Sequence, residues 1–358
     1  MTPGVVGKLL ALGQRAAQPL PKVGATPADV VFAENKWRLW RTRPRAEGLA
    51  LRTPVLLVPS LINRHYVLDL MAGKSLTSYL VEQGHDVFTI DWGTPGDEDR
   101  FLSFDDFADR YLGRAVRRSA LAAGVERVHL FGYCLGGTLA AIHAARRPER
   151  IQSLLALAGP VRFHDEGLLS TWTRSRAFDS RAFAEACGNA PWPLMQAAFH
   201  LLRPTLTLSK LVHLWHRADD PAFLDGFLAL ERWGNDNVSF PGRAFDEYLT
   251  RLYREDALAG GRLHVSGRRV DLCDIRCPTL AVTFEHDNIV PWRSAAALLD
   301  LVSSAEKEHL HFPGGHVGTL VSSSARQKLW PLLSAFWEKH AGTGRPKTRT
   351  AGARATAN

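Results

Sequence analysis

The stretch that most constrains the fold of this 358-residue chain runs from Gly132 to Gly136, where two glycines flank a cysteine in the spacing G-x-C-x-G. The apolar run 128–131 before it predicts a strand, and the small residues 138–144 after it predict a helix. A sharp turn from strand into helix leaves no room for a Cβ beside the central residue, so the pattern predicts Cys134 as a nucleophile. A lone G-x-C-x-G also fits an ordinary buried thiol, so the choice depends on other residues.

Short apolar runs recur along the chain and are typical of buried strands. They lie at residues 54–59, 87–91, 128–131, 154–157, 278–284 and 309–312. Helical patterns separate several of them, notably at 68–83 and 104–122. Strands that alternate with helices at this spacing predict an α/β fold with a mostly parallel central sheet flanked by helices.

This alternation stops between Val161 and Asp271, where tryptophans, prolines and helical segments prevail. A mainly helical cap over the active site explains this stretch, since loops at the carboxyl ends of strands build sites in such folds. The alternative is simply more core helices. The predicted organisation is a flexible N-terminal segment (1–25), a core (26–160 and 272–340), a cap insertion (161–271) and a disordered basic tail (341–358).

Composition excludes several classes of protein. No apolar run is long enough for a transmembrane helix, and the N-terminus lacks the pattern of a signal peptide. The tail supplies four of the eight net positive charges, and the rest of the chain shows no basic module typical of nucleic-acid binding. Four cysteines form no disulfide framework, which favours a reducing cytoplasm, and Cys273 and Cys277 lack further ligands for a metal site.

A cysteine nucleophile needs a base, and the base needs a carboxylate to hold its tautomer. Asp287 follows the run 278–284, and His316 follows the run 309–312, in the chain order nucleophile, acid, histidine. Both stand where a strand ends, so they are the predicted catalytic partners of Cys134. Glu285 remains an alternative acid, and His286 and His311 remain alternative bases.

An oxyanion formed at the nucleophile requires two backbone donors. The first predicted donor is the amide of Leu135, directly after the nucleophile at the start of its helix. The second is expected in the loop after the run 54–59, where Ile62 or its neighbour Leu61 is the candidate.

Five segments together resemble the signature sequences of the polyhydroxyalkanoate synthases, which belong to the α/β-hydrolase superfamily. They are Pro59-Ser-Leu-Ile-Asn-Arg-His-Tyr-Val-Leu-Asp-Leu70, Asp91-Trp-Gly-Thr-Pro95, Gly132-Tyr-Cys-Leu-Gly-Gly137, Asp287-Asn-Ile-Val-Pro291 and Phe312-Pro-Gly-Gly-His-Val-Gly318. The resemblance runs from about residue 26 to 337. The short length and the contexts of Glu34-Asn35 and Asn63-Arg64 are most similar to the class III catalytic subunit.

The resemblance implies an acyltransferase that polymerises (R)-3-hydroxyacyl-CoA, commonly 3-hydroxybutyryl-CoA, and releases coenzyme A. Cys134 would hold the chain as a thioester, His316 would activate it, and Asp287 would support His316 and the incoming hydroxyl. No cofactor is expected beyond the coenzyme A of the substrate, and no metal.

The same resemblance implies a second synthase subunit of the PhaE type, a growing polymer granule in the cytoplasm as the place of action, and a homodimer or hetero-oligomer. A cysteine-dependent acyl-CoA thioesterase or a polyhydroxyalkanoate depolymerase on the same fold is the alternative activity. A non-catalytic granule protein is a third possibility, which the intact set of three residues disfavours.

Overall fold

The computed structural model describes residues 4–46, 48–175, 177–202 and 206–341, and its centre is an eight-stranded sheet. The strands of the sheet are β1 (Ala28–Glu34), β2 (Trp37–Thr42), β3 (Leu51–Val58), β4 (His85–Asp91), β5 (Val128–Tyr133), β6 (Ile151–Leu157), β11 (Thr279–Phe284) and β12 (Lys307–Phe312). Their order is β1-β2-β4-β3-β5-β6-β11-β12. Only β2 runs antiparallel to its two neighbours; every pair from β4 to β12 is parallel.

Four two-residue strands lie outside this sheet: β7 (Asn189–Ala190), β8 (Phe240–Pro241), β9 (His264–Val265) and β10 (Arg268–Arg269). The α-helices are α1 (Val5–Ala16), α2 (Leu76–Glu82), α3 (Leu112–Ala123), α4 (Leu135–Arg146), α5 (Leu168–Arg174), α6 (Ser180–Cys187), α7 (Trp192–Leu201), α8 (Leu206–His216), α9 (Pro221–Asn235), α10 (Gly242–Tyr248), α11 (Trp292–Ala296), α12 (Leu298–Leu301), α13 (Gly318–Val321), α14 (Ser323–Lys328) and α15 (Trp330–Lys339). Short 3₁₀ segments span His65–Leu68, Asp97–Phe101, Pro148–Arg150 and Leu272–Asp274, and π-helical segments span Asp106–Tyr111 and Leu249–Arg254.

Helices cover both faces of the sheet, which explains why its central strands read as continuous apolar runs. Helices α3, α4 and α12 pack on one face, and α2, α14 and α15 pack on the other, each with its own hydrophobic core. The whole of β5 is buried, as is the whole of β11. The predicted α/β fold class, with a mostly parallel sheet flanked by helices, is therefore confirmed.

Between β6 and β11 the chain forms helices α5 to α10 and the four short strands, and adds no strand to the main sheet among the described residues. This stretch supplies most of the wall of the cavity above Cys134. The boundaries of the predicted cap at 161–271 stay a prediction.

One stretch differs in detail from the sequence expectation. The helix expected over 68–83 is interrupted: Asp69 accepts hydrogen bonds from Thr26 and Ser75, and α2 begins only after Ser75, whose hydroxyl caps it through the Ser78 amide. Within the N-terminal segment 1–25, residues 5–16 form helix α1, and the buried Arg15 donates to Asp225 at 2.6 Å. The flexibility of this segment stays a prediction.

The predicted disordered tail, 341–358, lies outside the described residues except for Ala341. Within the described part of the chain, no helix has the length and apolar character needed to cross a membrane.

Candidate functional site

Cys134 lies at the turn between β5 and α4, in a backbone conformation that residues other than glycine rarely adopt. Its φ is +56° and its ψ is −130°, outside the ordinary helical and extended regions. A Cβ added at Gly136 would lie 2.0 Å from the carbonyl oxygen of Val58, and one added at Gly132 would lie 2.4 Å from the carbonyl oxygen of Gly136. Both glycines are therefore required by close backbone contacts, as the spacing predicts.

Asp287 and His316, from the loops after β11 and β12, are brought together by the structure. The Nδ1 atom of His316 lies 2.6 Å from Oδ2 of Asp287, and both side chains are buried. The other carboxylate oxygen of Asp287 accepts hydrogen bonds from the amides of Ile289 and Val290, each at 2.9 Å. These two amides fix the carboxylate, which in turn fixes the histidine ring.

The ring of His316 also lies close enough to Cys134 for the charge of a thiolate to act on it. Burial by itself would lower the pKa of His316, but the negative charges of Asp287 and of a Cys134 thiolate more than offset it and hold the pKa well above its ordinary value. Because Nδ1 of His316 pairs with Asp287, Nε2 is the ring nitrogen that remains for the thiol of Cys134. The arrangement can therefore take a proton from the thiol and store it as a buried imidazolium.

The ring of Tyr133 packs against His316 and supports it. The two rings lie 5.2 Å apart between centroids, and the tyrosine hydroxyl donates to the main-chain oxygen of His316 at 3.4 Å. Burial raises the pKa of Tyr133 well above its ordinary value, so its hydroxyl stays protonated and remains a donor.

The alternative acid, Glu285, and the alternative bases, His286 and His311, do not take part in the pairing of Asp287 with His316. Glu285 and His286 are exposed, next to the buried Asp287. His311 is exposed on β12 and shares the hydroxyl of Thr283 with His309, each ring nitrogen at 2.8 Å. The geometry thus favours Asp287 and His316 over these alternatives.

The predicted oxyanion donors flank the nucleophile. Leu135 is the first residue of α4, and it lines one cavity with Ile62 and Cys134. Leu61 instead has its side chain in a separate small pocket beside Trp92. In the part of the chain that the structure describes, the amides of Leu135 and Ile62 donate to no protein acceptor. Both amides are thus available to a ligand.

An apolar cavity of about 450 Å³ opens above Cys134. The stretch between β6 and β11 contributes most of its wall, largely through aromatic and aliphatic side chains. Its hydroxyl groups come from Thr173, Tyr248 and Tyr253. The described residues contain no group of three or more His, Cys, Asp or Glu side chains arranged to hold a metal.

Tyr248 and Tyr253 form a pair of functional candidates that the sequence reasoning missed. Tyr253 is buried and Tyr248 is half-buried, their rings meet edge to face with centroids 5.4 Å apart, and both line the cavity with Cys134. They are five residues apart, a spacing that an α-helix does not align but the π-helical segment Leu249–Arg254 does. A π-helix can rarely be predicted from sequence, and no other sequence pattern indicated a role for these two tyrosines.

Comparison with known proteins gives two family matches. Residues 53–322 match the family described as alpha/beta hydrolase fold, and residues 19–80 match the N-terminus of poly-beta-hydroxybutyrate polymerase (PhaC). Among solved structures, a soluble variant of monoglyceride lipase from Saccharomyces cerevisiae superposes with a TM-score of 0.59 at 14% identity, covering 91% of this chain and 100% of that one. This likeness concerns the fold.

Two relatives share much more sequence with this chain. Poly(3-hydroxyalkanoate) polymerase subunit PhaC of Haloferax mediterranei is 34% identical over 328 residues, covering 91% of this chain and 66% of that protein. The protein of the same name from Allochromatium vinosum is 34% identical over 316 residues, covering 87% of this chain and 88% of that protein. The resemblance inferred from the motifs is confirmed: this chain belongs to the PhaC family of poly(3-hydroxyalkanoate) polymerases, on an α/β-hydrolase fold.

Proposed function

We propose that this chain polymerises (R)-3-hydroxyacyl-CoA, above all 3-hydroxybutyryl-CoA, into polyhydroxyalkanoate and releases coenzyme A. Family membership supports the reaction class. The observation that carries the mechanism is the pairing of His316 with Asp287 at 2.6 Å, close to Cys134 in the wall of a large apolar cavity. A thiol, a buried base and an apolar chamber suit acyl transfer from a thioester.

In the first step His316 takes the thiol proton of Cys134 on Nε2, and the thiolate attacks the carbonyl carbon of the substrate thioester. The oxyanion that forms accepts hydrogen bonds from the amides of Leu135 and Ile62. The bond to the sulfur of coenzyme A then breaks, and the imidazolium of His316 returns its proton to that sulfur. The products are free coenzyme A and an acyl group on Cys134.

In the second step the 3-hydroxyl of another acyl group attacks the Cys134 thioester. His316 takes the hydroxyl proton, the carbon–sulfur bond breaks, and the proton returns to Cys134. A thioester exchanged for a thioester keeps the acyl group activated, so ester formation is the downhill step. The aromatic wall of the cavity limits the access of water, which would otherwise compete with the hydroxyl.

The place of action and the partners follow from the same proposal. The enzyme would act in the cytoplasm at the surface of the growing polymer granule, with a second subunit of the PhaE type. Co-expression of the chain with such a subunit, followed by affinity purification and size-exclusion chromatography, tests this partnership. Separate elution, with unchanged activity, would rule the partnership out.

The experiment that tests the function supplies purified protein with (R)-3-hydroxybutyryl-CoA and measures both thiol release and polymer. We expect release of coenzyme A together with an insoluble polyester, and neither product from the Cys134→Ala variant. Release of coenzyme A with only monomeric 3-hydroxybutyrate would instead identify a thioesterase and refute the polymerase proposal.

A further inference from the structure

We propose that the end of cap helix α9 and the two residues after it act as a clamp that positions the oxyanion-donor loop of the core. The donor loop is defined as residues 59–64, and the clamp consists of Trp233, Asp236 and Asn237. This inference rests on the proposed function, since it assigns to the clamp the task of placing the amide of Ile62 at the reacting carbonyl. The clamp residues are positioning residues that act through the loop.

The first part of the clamp is a short backbone pairing. Asn63 and Asn237 form an isolated antiparallel bridge. The amide nitrogen of the Asn63 side chain also donates to Oδ1 of Asn237 at 2.6 Å, and the Asn237 side chain donates in turn to the main-chain oxygen of Gly234 at 2.9 Å. The residue that directly follows Ile62 is thus held by the cap.

The second part is the carboxylate of Asp236, which binds two side chains of the core at once. Its Oδ1 accepts from Nε of Arg64 at 2.9 Å, and its Oδ2 accepts from the hydroxyl of Tyr66 at 2.8 Å. Burial and the hydrogen bond to Asp236 raise the pKa of Tyr66 well above its ordinary value, so this donor persists across the working range of pH.

Trp233 completes the contact at the main chain. Its indole Nε1 donates to the carbonyl oxygen of Arg64 at 2.9 Å, and its ring is buried. Residues 233–237 therefore bind the carbonyl and the guanidinium of Arg64 and the side chain of Asn63. Such a set fixes the orientation of the peptide units, which a single ion pair on a long side chain would not achieve.

The core holds the other end of the donor loop. The buried indole of Trp92 donates to the carbonyl oxygen of Pro59 at 3.0 Å, and Gly136 packs directly against the carbonyl oxygens of Val58 and Pro59. Ile62 thus lies between a segment fixed by the core and a segment fixed by the cap. Its amide position depends on both, and an oxyanion donor must be placed to within about half an ångström to be effective.

The test compares two reactions of Cys134 that differ in their need for an oxyanion site. Acylation by p-nitrophenyl butyrate passes through an oxyanion, whereas alkylation by iodoacetamide does not. Alkylation is followed on the peptide that contains Cys134, because Cys187 and Cys273 are exposed and would react as well. The variants are Asp236→Ala and Asp236→Asn, in which asparagine keeps one oxygen for Arg64.

We expect Asp236→Ala to slow acylation about tenfold or more and Asp236→Asn to have an intermediate effect, since loss of a whole donor costs about a hundredfold. Alkylation should change less than about twofold, because the placement of His316 close to Cys134 is untouched. The control is Asp225→Ala, which removes the ion pair of α9 with Arg15 away from the loop and should leave both rates near those of the wild type.

Equal slowing of both reactions by Asp236→Ala, no slowing of either, or an equal loss of acylation in the Asp225 control would overturn the clamp. The proposed function is judged separately with 3-hydroxybutyryl-CoA. A wild-type protein that the ester acylates but that makes no polymer refutes the polymerase activity, while the comparison of acylation with alkylation still decides on the clamp.

Discussion

Replacing Asp287 with asparagine tests the catalytic assignment, because the surrounding hydrogen bonds dictate how the new side chain must lie. One oxygen of Asp287 accepts two amide N–H groups, from Ile289 and Val290, at 2.9 Å each. Only the oxygen of an asparagine can replace it there, so the NH₂ group must face Nδ1 of His316. The neutral ring then carries its proton on Nε2 and cannot accept one from Cys134.

We expect Asp287→Asn to lower the rate of coenzyme A release about a thousandfold or more, which corresponds to roughly 4 kcal/mol of activation free energy. Release from 3-hydroxybutyryl-CoA is measured with a thiol reagent, and circular dichroism confirms the fold. The matched control is Glu285→Gln, an exposed carboxylate two residues away, which should change the rate less than about twofold. If Asp287→Asn kept more than a tenth of the activity, or if Glu285→Gln cost as much, the assignment would be wrong.

Two further predictions concern stability. Gly136→Ala places a Cβ 2.0 Å from the Val58 carbonyl oxygen, so we expect urea unfolding to show that the free energy of unfolding falls by about 3 kcal/mol. Gly13→Ala, with open space around the new Cβ, should be tolerated. Equal effects of the two substitutions would contradict the packing argument. Burial, with smaller contributions from nearby histidines, lowers the pKa of His129 to about 3, so this ring stays neutral when folded and the unfolded chain binds the extra proton below about pH 6.5. Stability is therefore lost as the pH falls, and between pH 7 and 5 this group lowers the free energy of unfolding by about 2 kcal/mol. His129→Asn should remove this loss. Identical pH dependence of the unfolding free energy in both proteins would refute the prediction.

The sequence predicts the turn around Cys134 well because the constraint on this turn is local. The glycines around Cys134 are required by backbone contacts within one strand–turn–helix unit, and Asp287 and His316 follow strand ends that the apolar pattern marks. The same pattern suffices for the fold class, since a parallel sheet covered on both faces needs continuous apolar runs. These predictions depend on short-range regularities.

The parts that the sequence does not reveal depend on contacts between distant segments. Asp236 reads as one acid among many, and nothing in its neighbourhood announces that it binds Arg64 and Tyr66, some 170 residues earlier. Tyr248 and Tyr253 share a surface only because the intervening segment is π-helical. Helix α1 is held by an ion pair of Arg15 with a residue of α9, which no local pattern predicts.

The central claim is that Cys134 carries the acyl chain, and trapping that intermediate tests it most directly. Protein mixed briefly with (R)-3-hydroxybutyryl-CoA and quenched in acid is digested, and its peptides are analysed by mass spectrometry. The account predicts 3-hydroxybutyryl groups, singly or as short oligomers, on the peptide that contains Cys134, and no such adduct on Cys187, Cys273 or Cys277. Polymer formation with the acyl group on another residue, or in the Cys134→Ala variant, would contradict it.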